Sequence, residues 1–149
     1  FANRLNDHAH INIKEVEAGD IVAVNNGYLG KGGYHLLLRE RPNGEIQVRL
    51  STEIEHFFIP SVGVMMESVL AIFGKNTIGV LMTGMGDDGA DAMVKIKNAG
   101  GITIAESEET AVVFGMPKEA IDRGGADIVV PSYRIIEEIL KAIKRLDGR

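Results

Sequence analysis

Cysteine and tryptophan are absent from this 149-residue sequence, proline occurs only four times, and aromatic residues make up only 5% of it. The absence of cysteine excludes disulfide bonds and thiolate metal sites, and it is compatible with the cytoplasm, where we expect the protein to act. No uninterrupted apolar run approaches the roughly 20 residues that a membrane-spanning helix needs, so we expect no membrane insertion.

Basic residues are also in the minority. Lysine and arginine number 16 against 21 aspartates and glutamates, which gives a formal net charge of −5. An acidic chain repels nucleic acid and anionic lipid, so we expect no nucleic-acid partner. One small basic cluster lies at the C-terminus and suits the last turn of a helix. It consists of Lys141, Lys144, Arg145 and Arg149.

What the sequence does contain is a globular composition, with 45% hydrophobic residues. The first part of the chain has short strand-like runs. Alternation of apolar and polar residues predicts a strand over 11–16, and a second short run covers 20–24. Two further runs, 34–40 and 45–50, flank the turn signal P-N-G at 42–44 and predict a hairpin.

From Ser61 onward, helical and strand patterns alternate. We predict first a helix that Ser61 caps and Gly74 ends, and then a strand at 77–82 that is buried on both faces. A helix over 91–98 and a strand at 102–104 follow. The last three elements are a short helix that Pro117 opens, a strand at 128–130, and a final helix that Ser132 caps. The final helix carries an apolar face of Ile135, Ile136, Ile139, Leu140, Ile143 and Leu146.

Strands that alternate with helices predict right-handed crossovers and a mainly parallel sheet, hence one α/β domain over residues 1–149. Residues 1–5 look like the end of a helix without its beginning. We therefore expect the domain to be partial and to lack N-terminal elements of its sheet. Such a sheet would expose an unpaired edge and an apolar face, which predicts poor solubility.

Ligands of open α/β sheets bind at the carboxyl ends of the strands, where residues 83–90 read T-G-M-G-D-D-G-A. The glycines permit tight turning, and backbone N–H groups in such a loop can stabilise an oxyanion. The simpler alternative is that one of the two aspartates caps the next helix. A third hypothesis is a Mg²⁺ site built from Asp87, Asp88 and Asp91.

Histidines and serines supply no complete motif. His8, His10, His35 and His56 are most simply surface or hydrogen-bonded core residues. No serine lies in a G-x-S-x-G motif. The side chains of His56, Ser61 and Asp88 could meet in space, but capping already explains Ser61. Residues 106–109 are most simply an acidic solvated loop, and residues 112–117 are either core or the wall of a pocket.

Two longer segments resemble the chemotaxis protein-glutamate methylesterases of the CheB type. Residues 80–90, V-L-M-T-G-M-G-D-D-G-A, are similar to that family's T-G-M-G-x-D-G segment. Residues 112–121, V-V-F-G-M-P-K-E-A-I, resemble its V-V-F-G-M-P-x-x-A-I segment. Residues 1–5 fit F-A-x-R-L and residues 32–35 fit G-G-Y-H, in matching order, so the resemblance extends along the whole chain.

The resemblance implies a doubly wound α/β fold, with a mainly parallel sheet, helices on both faces and a β-hairpin excursion. It implies a Ser-His-Asp hydrolase that removes methyl groups from glutamyl methyl esters on the cytoplasmic helices of chemoreceptors, and in many members deamidates glutamines. It assigns the triad aspartate to Asp88, an oxyanion contact to the backbone N–H of Met85, and the active-site rim to residues 112–117. A receiver domain usually precedes this domain. We expect no cofactor and no metal.

Two departures from the family pattern qualify this implication. The family serine lies in an S-T-G-G segment and the histidine in an H-M-P segment, both before F-A-x-R-L, so we expect residues 1–149 alone to be inactive. The alternative is a non-catalytic module of the same fold that binds a receptor or partner helix. Residues 28–31, Y-L-G-K, and 59–63, I-P-S-V-G, also differ from the usual Y-I-A-P and R-P-S-V-D.

Overall fold

The computed structural model describes residues 1–148, and Arg149 of the predicted basic cluster lies outside the described residues. The elements of the first half are α1 (Ala2–Asn6), β1 (Asn12–Glu15), β2 (Asn26–Leu29), β3 (His35–Glu40), β4 (Ile46–Ser51) and α2 (Val62–Phe73). The elements of the second half are β5 (Ile78–Leu81), α3 (Ala90–Asn98), β6 (Ile102–Glu106), α4 (Met116–Asp122), β7 (Ile128–Val130) and α5 (Ser132–Asp147).

The second half forms a parallel sheet in the order β5-β6-β7. The connections are α3 and α4, as expected for βαβ units. In the first half β1 and β2 pair in parallel, and β3 and β4 form the antiparallel hairpin that was predicted around residues 42–44. The α/β class, the parallel sheet and the hairpin are therefore confirmed.

Successive side chains of the central strands point to opposite faces of the sheet, and helices pack on both faces. Ile104 of β6 packs with Val130 and with Ile135 of α5, and the half-buried Ile78 and Val80 of β5 pack on the same cluster. Leu81 faces the other way, into a cluster with residues of α2, α3 and α4. Helix α2 also packs against β3, so it joins the hairpin to the sheet.

The first half contains one wrong prediction. No strand forms over 20–24, where Ile21 makes only an isolated bridge to Gln47. The strand lies at Asn26–Leu29 instead, a segment whose N-G start is typical of a turn. The pairing of this segment with β1 overrides the local signal. Glycine suits the position, because a Cβ added at Gly27 would lie only 3.0 Å from the Ile13 side chain of that strand.

The helix boundaries predicted from Ser61 onward agree with the structure except at α5. Ser61 caps α2 by accepting the Val64 N–H at 3.2 Å, and Gly74 ends that helix. Ser132 is not a cap, since Pro131 holds the cap position and the Ser132 N–H donates to Thr110 Oγ1 at 2.8 Å. Ser132 is therefore the first residue of α5 rather than its cap, and Thr110 supplies the acceptor that its N–H lacks within the helix.

The predicted apolar face of α5 divides into two stripes. Ile135 is 4% exposed and packs on the sheet, whereas Ile136 is 72% and Leu140 is 56% exposed. The prediction that β5 is buried on both faces is also only half right, because Ile78 and Val80 on its α5 side are half-buried. No helix within residues 1–148 combines the length and the apolar character needed to cross a membrane.

Candidate active site

Asp88 lies in the loop that connects β5 to α3, yet it does not cap α3, whose cap residue is Gly89. Its carboxylate reaches the first turn of α2 instead. Asp88 Oδ1 accepts the Ser61 hydroxyl at 2.7 Å and the Gly63 N–H at 2.9 Å. Oδ2 accepts the Val62 N–H at 2.7 Å. The prediction that an aspartate of this loop caps the following helix is therefore wrong: Asp88 binds a helix that precedes it in the chain.

The start of α2 is suited to hold a carboxylate. Unpaired N–H groups and the helix dipole favour negative charge there. Gly63 lies close to this carboxylate, since a Cβ added there would lie 3.2 Å from Asp88 Oδ1. A carboxylate offers about four lone-pair positions, and three protein donors use three of them. The orientation of Asp88 is thus fixed while Oδ2 retains room for one more donor.

His56 and Ser61 do approach Asp88, as the sequence allowed, but they do not complete a hydrolytic triad. Ser61 Oγ lies 3.5 Å from His56 Nε2. However, the Ser61 hydroxyl proton goes to Asp88, its oxygen accepts the Val64 N–H, and the residue is only 1% exposed. A serine whose proton is bound by a carboxylate and which a substrate cannot reach is a capping residue rather than a nucleophile.

His35 is a satisfied core histidine. It is fully buried, its Nδ1 accepts the Ser61 N–H at 3.2 Å, and its Nε2 lies 3.1 Å from the Ile54 carbonyl oxygen. An Nδ1 that accepts requires the proton on Nε2, which then donates to that carbonyl. His35 therefore supports the cap of α2 from behind. His8 and His10 are exposed.

The two long sequence motifs contact each other directly. The Gly84 N–H donates to the Val113 carbonyl at 3.0 Å, and the Met116 N–H donates to the Gly84 carbonyl at 2.8 Å. A Cβ on Gly115 would lie 2.6 Å from Gly84 O and 3.3 Å from Met85 Cα, so only glycine fits between the segments. Met85 projects outward with 80% of its surface exposed. Residues 112–117 thus buttress the loop at 83–89.

A cavity of about 480 Å³ opens beside Asp88, between the starts of α2 and α3. His56 and Phe58 line one side of it, and Arg123 lies at another. Arg123 donates to Asp87 Oδ2 at 2.7 Å and to Asp91 Oδ1 at 2.8 Å. This guanidinium lowers the pKa of Asp87, mainly through its hydrogen bond, and the acidic neighbours raise the pKa of Arg123.

The Mg²⁺ hypothesis is wrong in this geometry. Asp87 and Asp91 turn towards Arg123, while Asp88 turns towards α2. Among residues 1–148 no group of three or more histidine, cysteine, aspartate or glutamate side chains has the arrangement needed to hold a metal ion.

A family model described as CheB methylesterase matches residues 1–139. The chain belongs to the CheB methylesterase family. Among solved structures, the Thermotoga maritima CheB methylesterase catalytic domain superposes on it with a TM-score of 0.90 at 38% sequence identity, covering 94% of this chain and 74% of that one. The doubly wound fold that the resemblance implied agrees with this match.

Curated relatives of the CheB family carry the name protein-glutamate methylesterase/protein-glutamine glutaminase. One from Syntrophomonas wolfei is 57% identical over 145 residues, which are 97% of this chain and 41% of that protein. One from Pyrococcus horikoshii is 41% identical over 148 residues, which are 99% of this chain and 40% of that protein. The chain thus spans about 40% of the length of these relatives.

Sequence reasoning missed one buried residue of this CheB-family site. Glu106 was predicted to begin a solvated acidic loop, but it ends β6 and is only 2% exposed. Its Oε2 accepts the Thr83 N–H and its Oε1 accepts the Thr110 hydroxyl, both at 2.8 Å. The signal was present in the alternation of the strand, because Ile102, Ile104 and Glu106 share one parity and so one face.

Proposed function

We propose that residues 1–149 form part of one catalytic domain that hydrolyses glutamyl methyl esters, with Asp88 as the aspartate of a Ser-His-Asp triad. The serine and histidine of that triad would come from sequence outside these residues. The observation that carries the proposal is the Asp88 carboxylate, which three donors at the start of α2 hold beside the cavity with an acceptor position left on Oδ2.

The chemistry follows from the role of each group. The serine oxygen attacks the ester carbonyl while the histidine takes its proton, and the histidine then protonates the departing methanol. Asp88 holds the imidazole by accepting its N–H and stabilises the imidazolium that forms. Water hydrolyses the acyl-enzyme by the same steps, which leaves a glutamate side chain. A glutamine amide would react in the same way and release ammonia, which fits the double name of the relatives.

The proposal includes the Met85 N–H as an oxyanion donor. No protein group within residues 1–148 accepts a hydrogen bond from this N–H, although the preceding residue, Gly84, is held by two backbone hydrogen bonds to the 113–116 segment. A donor that is free and rigidly placed is what a developing negative charge on oxygen requires.

We further propose that the substrates are methylated cytoplasmic helices of chemoreceptors, that the reaction takes place in the cytoplasm, and that a receiver domain regulates it. These three points rest on the family resemblance. The acidic balance of the chain, −5, supports a protein substrate in solution over nucleic acid or an anionic lipid surface.

The decisive variant is Asp88→Asn, assayed for methanol release in the protein that supplies the serine and histidine together with this chain. We expect kcat to fall by up to roughly 10⁴-fold, because the histidine loses its orienting carboxylate. Asp122→Asn is the matched control: Asp122 is an exposed aspartate paired with Lys118, and its loss should leave turnover unchanged. Circular dichroism would verify that both variants fold.

Near-normal turnover in folded Asp88→Asn would overturn the assignment of this residue. A parent protein that binds receptor fragments but releases no methanol would instead support the non-catalytic binding module. The S-T-G-G and H-M-P segments, read in the gene upstream of Phe1, separate the same two outcomes without an assay.

A further inference from the structure

Glu106 is a buried carboxylate at the carboxyl end of the central strand, and it has no ionic partner. It is 2% exposed, and no cationic group among residues 1–148 forms an ion pair with it. Burying an unpaired charge is costly unless hydrogen bonds compensate for it. A hydrophobic residue would fill the same place at the end of a strand without that cost. The groups that donate hydrogen bonds to Glu106 therefore indicate what this carboxylate does.

The donors come from two segments that this side chain connects. The Thr83 N–H, just beyond the end of β5, donates to Oε2 at 2.8 Å. The Thr110 hydroxyl donates to Oε1 at 2.8 Å, and Thr110 Oγ1 in turn accepts the Ser132 N–H at 2.8 Å. The carboxylate therefore connects the loop at 83–89 to the segment after β6 and, through Thr110, to the start of α5.

Thr83 passes this constraint on to the rest of the loop. Its hydroxyl oxygen accepts the Val113 N–H at 2.8 Å, and the next N–H, that of Gly84, donates to the Val113 carbonyl at 3.0 Å. Thr83 is thus held by its N–H, its side chain and its neighbour. Met85 and Asp88 follow within the same short loop, so a shift at Thr83 moves both of them.

We propose that Glu106 is a positioning residue, which fixes the first residue of the loop at 83–89 and thereby the places of the Met85 N–H and the Asp88 carboxylate. This rests on the proposed function of that loop. Glu106 touches neither substrate nor reacting atoms. It acts by keeping the two groups at the spacing that the reaction needs.

The donor set makes distinct predictions for two substitutions. In Glu106→Gln the amide oxygen can still accept the Thr83 N–H, and the amide nitrogen can donate to Thr110 Oγ1, which has an acceptor position to offer. In Glu106→Leu both the Thr83 N–H and the Thr110 hydroxyl lose their acceptor. Gln should therefore rescue the geometry and Leu should not.

Thr103→Val is the matched control for a purely structural effect. Thr103 is fully buried in the same strand but at its amino end, where its hydroxyl donates to Asp127 Oδ2 at 3.0 Å and accepts the Asp127 N–H at 2.9 Å. Its loss removes both hydrogen bonds of the Thr103 hydroxyl to Asp127, so it lowers the melting temperature without touching the loop at 83–89.

The first experiment measures ester hydrolysis by the three variants in the protein that supplies the serine and histidine. For folded Glu106→Leu we expect kcat to fall by about 10²-fold with KM nearly unchanged, because small misplacements of catalytic groups have effects of that order. Glu106→Gln should stay within a few-fold of the parent, and Thr103→Val should keep the parental kcat. Equal losses in Glu106→Leu and Thr103→Val, or a loss in Glu106→Gln as large as in Leu, would overturn the proposal.

The second experiment uses hydrogen exchange in the same protein that supplies the serine and histidine, and it needs no activity. Exchange of the Thr83 and Gly84 amides should accelerate in Glu106→Leu and stay slow in Glu106→Gln and Thr103→Val. Unchanged exchange in Glu106→Leu would refute the positioning role, whereas a parent without esterase activity would refute only the proposed function. If Glu106→Leu does not fold, Glu106→Met takes its place, since it also removes both carboxylate oxygens and with them the acceptor of the Thr83 N–H, and the same two outcomes apply.

Discussion

At the scale of single residues, two separate sets of polar contacts surround Asp88. One set is the ion pairs of Arg123, and the other is the hydrogen bonds between Asp88 and the start of α2. Arg123 forms ion pairs with Asp87, Asp91 and Glu119 at the exposed rim. Asp88 itself lies apart from that network and relies on N–H groups and a hydroxyl. The separation matters because an arginine paired with Asp88 would compete for the acceptor position that an imidazole needs.

Replacing Arg123 with glutamine should raise the pKa of Asp87 towards its ordinary value of about 3.9, because the hydrogen bond that lowers it is lost. A carboxyl whose pKa is lowered by folding stabilises the protein above its unfolded pKa, and this contribution disappears as the pH falls through the folded pKa. The difference in melting temperature between parent and variant should therefore be present at pH 7 and shrink below about pH 4.

The measurement is an NMR titration of the Asp87 carboxyl carbon in both proteins. Lys118→Gln serves as the control, since its partner is Asp122 and the titration of Asp87 should not change. An Asp87 pKa that is the same with and without Arg123 would refute the assigned cause.

The motif around Asp88 could be found from sequence, whereas its contacts could not. Asp88 and the donors of α2 are separated by 25 to 27 residues, and no local pattern encodes that pairing. Glu106 shows the reverse case: the parity of β6 was sufficient to bury it, but the neighbouring acidic residues favoured a loop. A run of acidic residues at the end of a strand therefore predicts a solvated loop wrongly when a distant segment supplies a hydrogen-bond donor to one of them.

At the scale of elements, glycines allow the loop at 83–89 and the start of α4 to touch backbone to backbone. The Cβ of an alanine at 115 would meet Gly84 O at 2.6 Å, Gly86 N at 3.2 Å and Met85 Cα at 3.3 Å. All three atoms belong to backbone, so no flexible side chain can move aside. Helix α4 can begin where it does only because residue 115 lacks a side chain.

Gly115→Ala should therefore lower the free energy of unfolding by roughly 1–3 kcal/mol, the usual range for overpacking. The control is Gly32→Ala, where an added Cβ has no neighbour within 4 Å and where the backbone has no positive φ. That substitution should be neutral or slightly stabilising, because it only restricts the unfolded chain. Urea denaturation of the two variants checks this, and equal midpoints would show that the loop yields more easily than its contacts indicate.

The order of elements after Ser61 could be predicted because helix and strand periods alternate there with glycine and proline at the ends. The first half resisted prediction at β2, where Asn26 and Gly27 form part of a strand although their sequence is typical of a turn. The pairing with β1 decides that conformation, and it lies outside the reach of local propensity.

At the scale of the whole molecule, two features within residues 1–148 favour association. Strand β5 pairs with β6 alone, so its other edge is open. Helix α5 presents a second stripe to solvent, formed by Tyr133, Ile136, Leu140 and Ile143. Open strand edges and continuous apolar patches both promote association.

The 149-residue chain should therefore self-associate as its concentration rises and should lack a sharp, cooperative melt. Ile136→Lys places a charge in the middle of the α5 stripe, at a residue that is 72% exposed and contributes little to the core. We expect it to lower the associated fraction seen by sedimentation velocity. Asn98→Lys adds the same charge to an exposed polar position at the end of α3 and should have no such effect. Equal solubility of the two variants would place the association at the β5 edge, and a monomeric parent with a cooperative melt would show that neither surface drives it.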